Sequence, residues 1–137
     1  MIYLKRKEKF CCAHKLSVPD WSDEKNKEVF GKCANPNFHG HNFTLEITVR
    51  GEIDPVTGVV INLRDLGRII RTEIIDVVDH KNLNLDVEWM IGKMPSAEVF
   101  AVEIWKILEP MIAEYSAELH SVVLEETDKN IVEYYGG

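Results

Sequence analysis

Strict alternation of residue types between His39 and Glu52 is the feature that most constrains how this chain folds. A repeat of two residues is typical of a strand with one side in the core. One face carries His39, His41, Phe43, Leu45, Ile47 and Val49, and the other carries Thr44, Glu46, Thr48 and Arg50. The pattern therefore predicts a long, half-buried strand that has two histidines at its beginning.

The remaining elements are predicted from apolar spacing, helix caps and turn residues. Asn62 and Ser96 each cap a predicted helix, and we expect Pro110 to disturb the last turns of the second helix. The other predicted elements are a strand from Ile2 to His14, a helical turn at Asp23–Phe30 within an irregular excursion, a hairpin that returns at Val59–Ile61, and strands at Leu119–Glu125 and Ile131–Tyr135.

Strands at both ends of the chain with a helix pair between them predict an α+β fold. In this layout an antiparallel sheet is covered on one face by two helices. The other face then meets solvent or another subunit. At 137 residues, without internal repeats or linkers, the sequence predicts a single domain over residues 1–137.

The net charge and the cysteine content restrict which binding partners and which cellular compartment the protein is expected to have. A net charge of −7 argues against general affinity for nucleic acid or for an anionic membrane, but it permits an anionic small substrate. No apolar run approaches the roughly 20 residues that cross a bilayer, and the first ten residues do not resemble a secretory signal. Three cysteines, of which Cys11 and Cys12 are adjacent, favour free thiols in a reducing compartment. We expect a cytoplasmic protein.

Three histidines form the strongest chemical feature of the sequence. His39 and His41 lie two residues apart on a strand and so leave the same face. His14, at the end of the first strand, approaches them if the first two strands pair antiparallel. Three imidazoles with one open position are typical of catalytic zinc, whereas structural sites usually have four ligands that include cysteine. The alternative is that His39 and His41 are ordinary polar side chains.

Cys33 is a candidate proton acceptor, in a predicted loop six positions before His39. A thiol beside Lys32 and near a metal ion is expected to have a lowered pKa, which suits general-base catalysis. The alternatives are a fourth metal ligand or a plain buried thiol.

Two acidic residues are further candidates for the functional site, one for catalysis and one for ligand binding. Asp79 and His80 could form a carboxylate–imidazole pair if the backbone bends between them, or simply end a helix. Glu126, at the end of a strand, could accept two parallel hydrogen bonds from the amino-imino edge of a heterocycle, or be solvated.

With these residues in hand, the sequence resembles the 6-pyruvoyltetrahydropterin synthase family over nearly its whole length. The longest matching segment, Phe30–Phe43, is also the most specific. The other matching segments are Phe10–Leu16, Gly51–Leu66, Val78–Asp86, Ile104-Trp105 and Glu126–Val132.

The resemblance implies a fold, an assembly and a reaction. The fold is the tunnelling fold, a four-stranded antiparallel sheet with two helices on one face, and trimers of it stack into a hexamer. The implied reaction is a step of tetrahydrobiopterin biosynthesis, in which 7,8-dihydroneopterin triphosphate loses triphosphate and becomes 6-pyruvoyltetrahydropterin. Zinc is the implied cofactor, with magnesium expected on the triphosphate.

The resemblance also implies roles for particular residues. Ser96 keeps one of two hydroxyls that the family commonly has before a glutamate; the other is replaced by Ala97, which could alter pterin affinity or ring selectivity. The implied roles are zinc binding by His14, His39 and His41, proton abstraction by Cys33, catalytic assistance by Asp79 and His80 across a subunit boundary, and pterin binding by Glu126 and Ser96.

Three other functions remain open at this point. A 6-carboxytetrahydropterin synthase of a queuosine route uses the same substrate, but its cysteine stands four positions before the first histidine of the pair. The six-residue gap here, with Asn35-Pro36-Asn37 inserted, favours the pyruvoyl product. A zinc hydrolase or hydratase with three histidines would not need Cys33. A binding module for pterin or metal would not release triphosphate.

Overall fold

A computed structural model describes all residues, 1–137. A π-helical turn at Arg71–Ile75 joins α2 to α3 without a break, so the chain has three helical bodies. The elements are β1 (Ile2–His14), α1 (Asp23–Phe30), β2 (His39–Gly51), α2 (Leu63–Ile70), α3 (Asp76–Val78), β3 (Lys81–Asn82), α4 (Ala97–Ala113), β4 (Glu118–Glu125) and β5 (Ile131–Tyr134), with 3-10 turns at Gly31–Ala34 and Glu88–Met90.

The sheet has five strands in the order β3-β1-β2-β4-β5. The pairs β1–β2, β2–β4 and β4–β5 are antiparallel, whereas β3 lies parallel to β1, with Cys12 opposite Lys81. The predicted α+β class is confirmed, but the expected four-stranded antiparallel sheet is wrong. The additional strand is two residues long, so no periodicity in the sequence could mark it.

The core lies between one face of this sheet and the two longer helical bodies. It is a single cluster of 26 buried residues. Phe10 of β1 stacks on Phe43 of β2 with ring centroids 5.1 Å apart, and Phe100 of α4 packs edge-on against both. These rings lie directly below the end of the sheet that carries the histidines, because His41 contacts Phe43 at 5.8 Å between centroids.

The predicted return strand at Val59–Ile61 is wrong. The turn itself forms, because Asp54 Oδ1 accepts hydrogen bonds from the Val56 and Thr57 amides and Asp54 N–H donates to the Val59 carbonyl at 3.0 Å. The chain then leaves the sheet for α2. Ile61 is nevertheless buried, so the apolar run at this point reflects a core contact made by a loop.

Both predicted helix caps are present, whereas Pro110 does not end its helix. The Arg64 amide donates to Asn62 Oδ1 at 2.8 Å, and the Val99 amide donates to Ser96 Oγ at 3.2 Å. Helix α4 continues past Pro110 to Ala113. Lys106 and Pro110 are both exposed, so water can reach the carbonyl that loses its amide partner at the proline.

None of the helices combines the length and apolar character that crossing a membrane requires.

Candidate functional site

The register of β1 and β2 brings the three predicted histidines together. In the antiparallel pair His14 lies opposite His39, and Cys12 lies opposite His41. All three imidazoles therefore leave the helix-covered face at the same end of the sheet. Their ring centroids are 4.5 Å apart for His14–His39, 4.9 Å for His39–His41 and 5.2 Å for His14–His41. One ligand atom from each histidine lies within 4.8 Å of the other two.

The ring nitrogens of this cluster lack protein partners. Nε2 of His14, both nitrogens of His39 and Nε2 of His41 are buried without a hydrogen bond. Leaving a buried polar group unpaired costs about 1–3 kcal/mol. A cation bound between the rings would satisfy three of these nitrogens at once, so the residues fit a metal ion.

The protonation state of the cluster also suits a metal. His14 is 1% exposed, and its Nδ1 donates to the Pro95 carbonyl at 2.8 Å, so Nε2 is the free nitrogen. Burial lowers the pKa of His14 below its usual value. Burial, followed by the neighbouring His14 and His41, lowers the pKa of His39. Neutral imidazoles are the form that binds metal ions.

Glu126 lies at the rim of the cluster. Its Oε1 is 3.7 Å from Nε2 of His41, and its Oε2 is 3.9 Å from Nε2 of His14, both longer than a hydrogen bond. The Glu126 amide donates to the Asn130 carbonyl at 3.1 Å, which fixes the strand end that carries the side chain. The sequence placed Glu126 at a strand end, but its closeness to the imidazoles depends on the β2–β4 pairing.

The segment before α4 contributes a contact that sequence reasoning missed. The carbonyl of Pro95 orients His14, and the next residue, Ser96, caps α4 with its hydroxyl. A backbone carbonyl belongs to every residue, so no side-chain pattern could single out Pro95. The cap at Ser96 was the available signal that this segment is held in place.

Cys33 is half-buried in the 3-10 turn that precedes β2. Its carbonyl accepts a hydrogen bond of 2.8 Å from the amide of Leu16, two residues after His14. The insert after it forms a tight turn in which the Phe38 amide donates to the Asn35 carbonyl at 3.2 Å.

The pKa of the Cys33 thiol is raised, first by burial and then by the charge of Glu126. The protein's own groups therefore shift this pKa in the direction opposite to the one that the sequence suggested. Lys32 is exposed and does not offset these two effects. A cation held by the nearby imidazoles would act in the opposite direction to Glu126.

Asp79 and His80 meet because the backbone reverses direction where α3 ends. His80 has a φ of 61°, in the left-handed region, and its Nδ1 lies 3.0 Å from Asp79 Oδ1. The Cys11 amide donates to the same oxygen at 3.0 Å. This amide is the main reason that the pKa of Asp79 is lowered, with His80 adding to it.

The Asp79–His80 pair lies away from the three-histidine cluster within one chain. The pair is anchored to Cys11, whose side chain leaves the face of β1 opposite to that of Cys12 and His14. The pKa of Cys33 responds to Glu126 but not to Asp79 or His80. The structure thus brings His14, His39, His41 and Glu126 together with Cys33 in electrostatic reach, and Asp79 with His80 separately.

Comparisons with known proteins agree along the whole chain. The sequence profile of 6-pyruvoyl tetrahydropterin synthase matches residues 3–137. The 6-pyruvoyl tetrahydrobiopterin synthase of Poecilia reticulata is 47% identical over 135 residues, which cover 98% of this chain and 90% of that protein. The Homo sapiens protein of the same name is 44% identical over 131 residues, covering 96% and 89%.

A solved structure shows the same fold. The Caenorhabditis elegans 6-pyruvoyl tetrahydropterin synthase is similar with a TM-score of 0.91 at 38% identity, covering 99% of this chain and 96% of that one. The chain belongs to the 6-pyruvoyl tetrahydropterin synthase family.

Proposed function

We propose that this chain is a lyase that converts 7,8-dihydroneopterin triphosphate to 6-pyruvoyltetrahydropterin with elimination of triphosphate, a step of tetrahydrobiopterin biosynthesis. Relatives at 44–47% identity carry the name of this activity. The observation that carries the proposal is the cluster of His14, His39 and His41, whose buried ring nitrogens have no protein partners.

Zinc is the metal that this ligand set suits best. Three neutral imidazoles with a position open to substrate are typical of catalytic zinc sites. When bound, zinc supplies a Lewis acid that polarises substrate oxygens and makes neighbouring C–H bonds more acidic. The Pro95 carbonyl, by accepting from Nδ1 of His14, keeps the other nitrogen of that ring directed at the ion.

Cys33 is proposed as the general base that removes a proton from the side chain of the pterin. It belongs to the turn tied to Leu16 beside the histidines, which holds its thiol near this end of the sheet. Burial and Glu126 raise its pKa, so the positive charge of a metal ion held by the histidines would be needed to favour the thiolate.

Asp79 and His80 are proposed to exchange this proton with Cys33 of a neighbouring subunit. Asp79 Oδ1 fixes Nδ1 of His80, which leaves Nε2 to accept and return the proton. The side chain of His80 is 80% exposed, so it is available to another chain.

Glu126 and Ser96 are proposed to hold the pterin ring. Both carboxylate oxygens of Glu126 lie beside the cluster and lack a short hydrogen bond, so they can accept from two N–H groups of the ring. Ser96 Oγ accepts from the Val99 amide, which leaves its own hydrogen to donate to the ring.

The assembly proposed for this single-domain chain, residues 1–137, is a hexamer built from two trimers in the cytoplasm. The separation of Cys33 from Asp79 and His80 within one chain supports an interface that brings them together. The substrate would enter with magnesium on its triphosphate. A net charge of −7 supports a small-molecule partner rather than nucleic acid or an anionic membrane.

Product analysis tests the proposal. Zinc-loaded protein incubated with 7,8-dihydroneopterin triphosphate should release triphosphate and form 6-pyruvoyltetrahydropterin. Cys33→Ala should slow this by about 10²–10⁴-fold, the usual contribution of a general base, whereas Cys12→Ala, on β1 in the core, should not. Acetaldehyde release would instead indicate the 6-carboxy activity. Undiminished activity in Cys33→Ala would indicate a hydrolase or hydratase, and binding without triphosphate release would indicate a binding module.

A further inference from the structure

A second group of metal-binding side chains lies on the opposite side of β1. Cys11, Asp79 and His80 each offer a ligand atom, and these three atoms lie within 4.8 Å of one another. Cys11 is half-buried and is not used in the reaction proposed above. Its thiol is therefore free to bind a ligand.

Backbone contacts hold these three residues in place. The His80 amide donates to the Cys11 carbonyl at 2.7 Å, and the Cys11 amide donates to Asp79 Oδ1 at 3.0 Å. Because the left-handed conformation of His80 is costly for a residue with a side chain, these contacts must offset it. The arrangement is therefore set before any ligand arrives.

Within a single chain the cluster is open to solvent, and one of its ligand atoms has no contact within the cluster. Cys11 and His80 line two neighbouring cavities of about 730 and 510 Å³. The contacts of Asp79 with Cys11 and His80 use Oδ1, which leaves Oδ2 to face a cation. Zinc takes thiolate, imidazole and carboxylate ligands at about 2.0–2.3 Å, so tetrahedral ligands lie about 3.5 Å apart. The three side chains need to close by only about 1 Å.

We propose that Cys11, Asp79 and His80 form a second metal site, for a thiophilic divalent cation such as Zn²⁺ or Cd²⁺. The ion is held by one sulfur, one oxygen and one nitrogen, with water completing the tetrahedron. Binding replaces the proton of the Cys11 thiol, which is released to solvent. The sulfur distinguishes this site from the three-histidine cluster, which is nitrogen-only.

Occupation of the second site also regulates turnover, a consequence that rests on the proposed function. Asp79 and His80 cannot bind a cation and pass a proton at the same time. Zinc beyond the first equivalent therefore inhibits the enzyme. The affinity that Cys11 gives to the second site determines the zinc concentration at which inhibition begins.

Cobalt substitution tests the binding without substrate. Co²⁺ added to the metal-free protein should bind at two equivalents per chain, and one of them should show thiolate-to-cobalt charge-transfer absorption. This absorption should vanish in Cys11→Ser and persist in Cys12→Ser, in which the neighbouring thiol on the other face of the strand is removed. It should also persist in Cys33→Ala, which shows that the thiol near the imidazoles is not its source.

Calorimetry with Cd²⁺ on the zinc-loaded protein gives the affinity. Removing a residue that only hydrogen-bonds to a metal ligand lowers metal affinity by about 10–100-fold. Removing a ligand itself, as in Cys11→Ser, should therefore lower Cd²⁺ affinity by more than about 100-fold. His80→Asn should weaken Cd²⁺ binding in the same way, because asparagine tolerates the left-handed backbone at this position but is not expected to bind the metal. This variant replaces Cys11→Ser in the experiment if Cys11→Ser does not fold. A single cobalt equivalent, or charge-transfer absorption that survives Cys11→Ser, would overturn the proposal.

The regulatory consequence is separable from the activity itself. Excess Zn²⁺ should inhibit triphosphate release by the wild-type enzyme and by Cys12→Ser, but not by Cys11→Ser at the same concentration. A protein that shows the cobalt absorption but never releases triphosphate would refute the proposed function and leave the second site standing. Equal inhibition of all three proteins would refute the regulation.

Discussion

His14 and His39 face each other across the β1–β2 pair with ring centroids 4.5 Å apart, and Nε2 of neither ring has a protein partner. This relationship depends on register, because a slip of one residue would turn one of the two side chains to the opposite face of the sheet. The long antiparallel pairing of β1 with β2 thus determines the geometry of the three-histidine cluster.

Loss of one imidazole should abolish tight metal binding. His39→Ala leaves two ligands and should reduce zinc affinity by more than about 100-fold, because removing a residue that only hydrogen-bonds to a metal ligand already reduces it by about 10–100-fold. Elemental analysis after dialysis measures this. His120→Ala, on β4 and outside the cluster, is the matched control and should keep its zinc. Full zinc content in His39→Ala would contradict the assignment.

Ser96→Ala should affect both stability and the metal cluster. Loss of an N-cap costs about 0.5–2 kcal/mol of unfolding free energy. The same change loosens Pro95, whose carbonyl orients His14, so zinc affinity should also fall, by up to about 10–100-fold. Urea unfolding and zinc competition measure the two effects.

Ser22→Ala is the control for the cap at Ser96. The Lys25 amide donates to Ser22 Oγ at 3.2 Å, the same distance as at Ser96, but Ser22 caps α1 and is not next to Pro95, whose carbonyl binds His14. This variant should lose stability and keep its zinc affinity. Equal zinc affinities in the two variants would show that Pro95 does not position His14.

Stability at acid pH should depend on Glu103. Burial tends to raise its pKa, but Lys106 and Lys93, whose Nζ atoms lie 2.8 Å from its carboxylate oxygens, prevail and hold the pKa below its usual value. A carboxyl with a lowered folded-state pKa contributes stability above its unfolded pKa, and the contribution is lost as pH falls through the folded-state value.

Urea unfolding of Glu103→Gln checks this sign. Between about pH 6 and pH 3 the wild type should lose more unfolding free energy than the variant, which has no carboxyl to protonate. Glu109→Gln on the same helix, where no ion pair is present, should lose as much as the wild type. A Glu103→Gln profile parallel to that of the wild type would contradict the assignment.

Metal removal should lower the melting temperature without unfolding the protein. The core of 26 residues is covered by α2 and α4 and does not include the histidines. Free zinc at 100 times its dissociation constant stabilises the folded state by about 2.7 kcal/mol through mass action. After a chelator has removed the metal, circular dichroism should therefore show the same secondary structure with a lower Tm. Loss of the helical signal on chelation would show that the metal is structural.

The sequence predicted the elements that carry their own local signal. Alternation marked β2, and Ser96 marked the start of α4. The histidine cluster followed from one strand that ends in histidine and a second that begins with two, given antiparallel pairing. The hairpin at Val59–Ile61 was wrong because an apolar run of three residues serves a loop in the core as well as it serves a strand.

Features that depend on tertiary closure were beyond the sequence. The two-residue strand β3 exists only because Lys81 meets Cys12 after the chain has folded. The pKa of Cys33 depends on burial and on Glu126, which is 93 positions away in the sequence. The local effect of Lys32 suggested the opposite shift.

Anomalous diffraction from crystals of the zinc-loaded protein tests the central claim most directly. The predicted result is a zinc peak between the rings of His14, His39 and His41, with one nitrogen from each at about 2.0–2.1 Å. Density for zinc elsewhere, with these three imidazoles unbound, would contradict it.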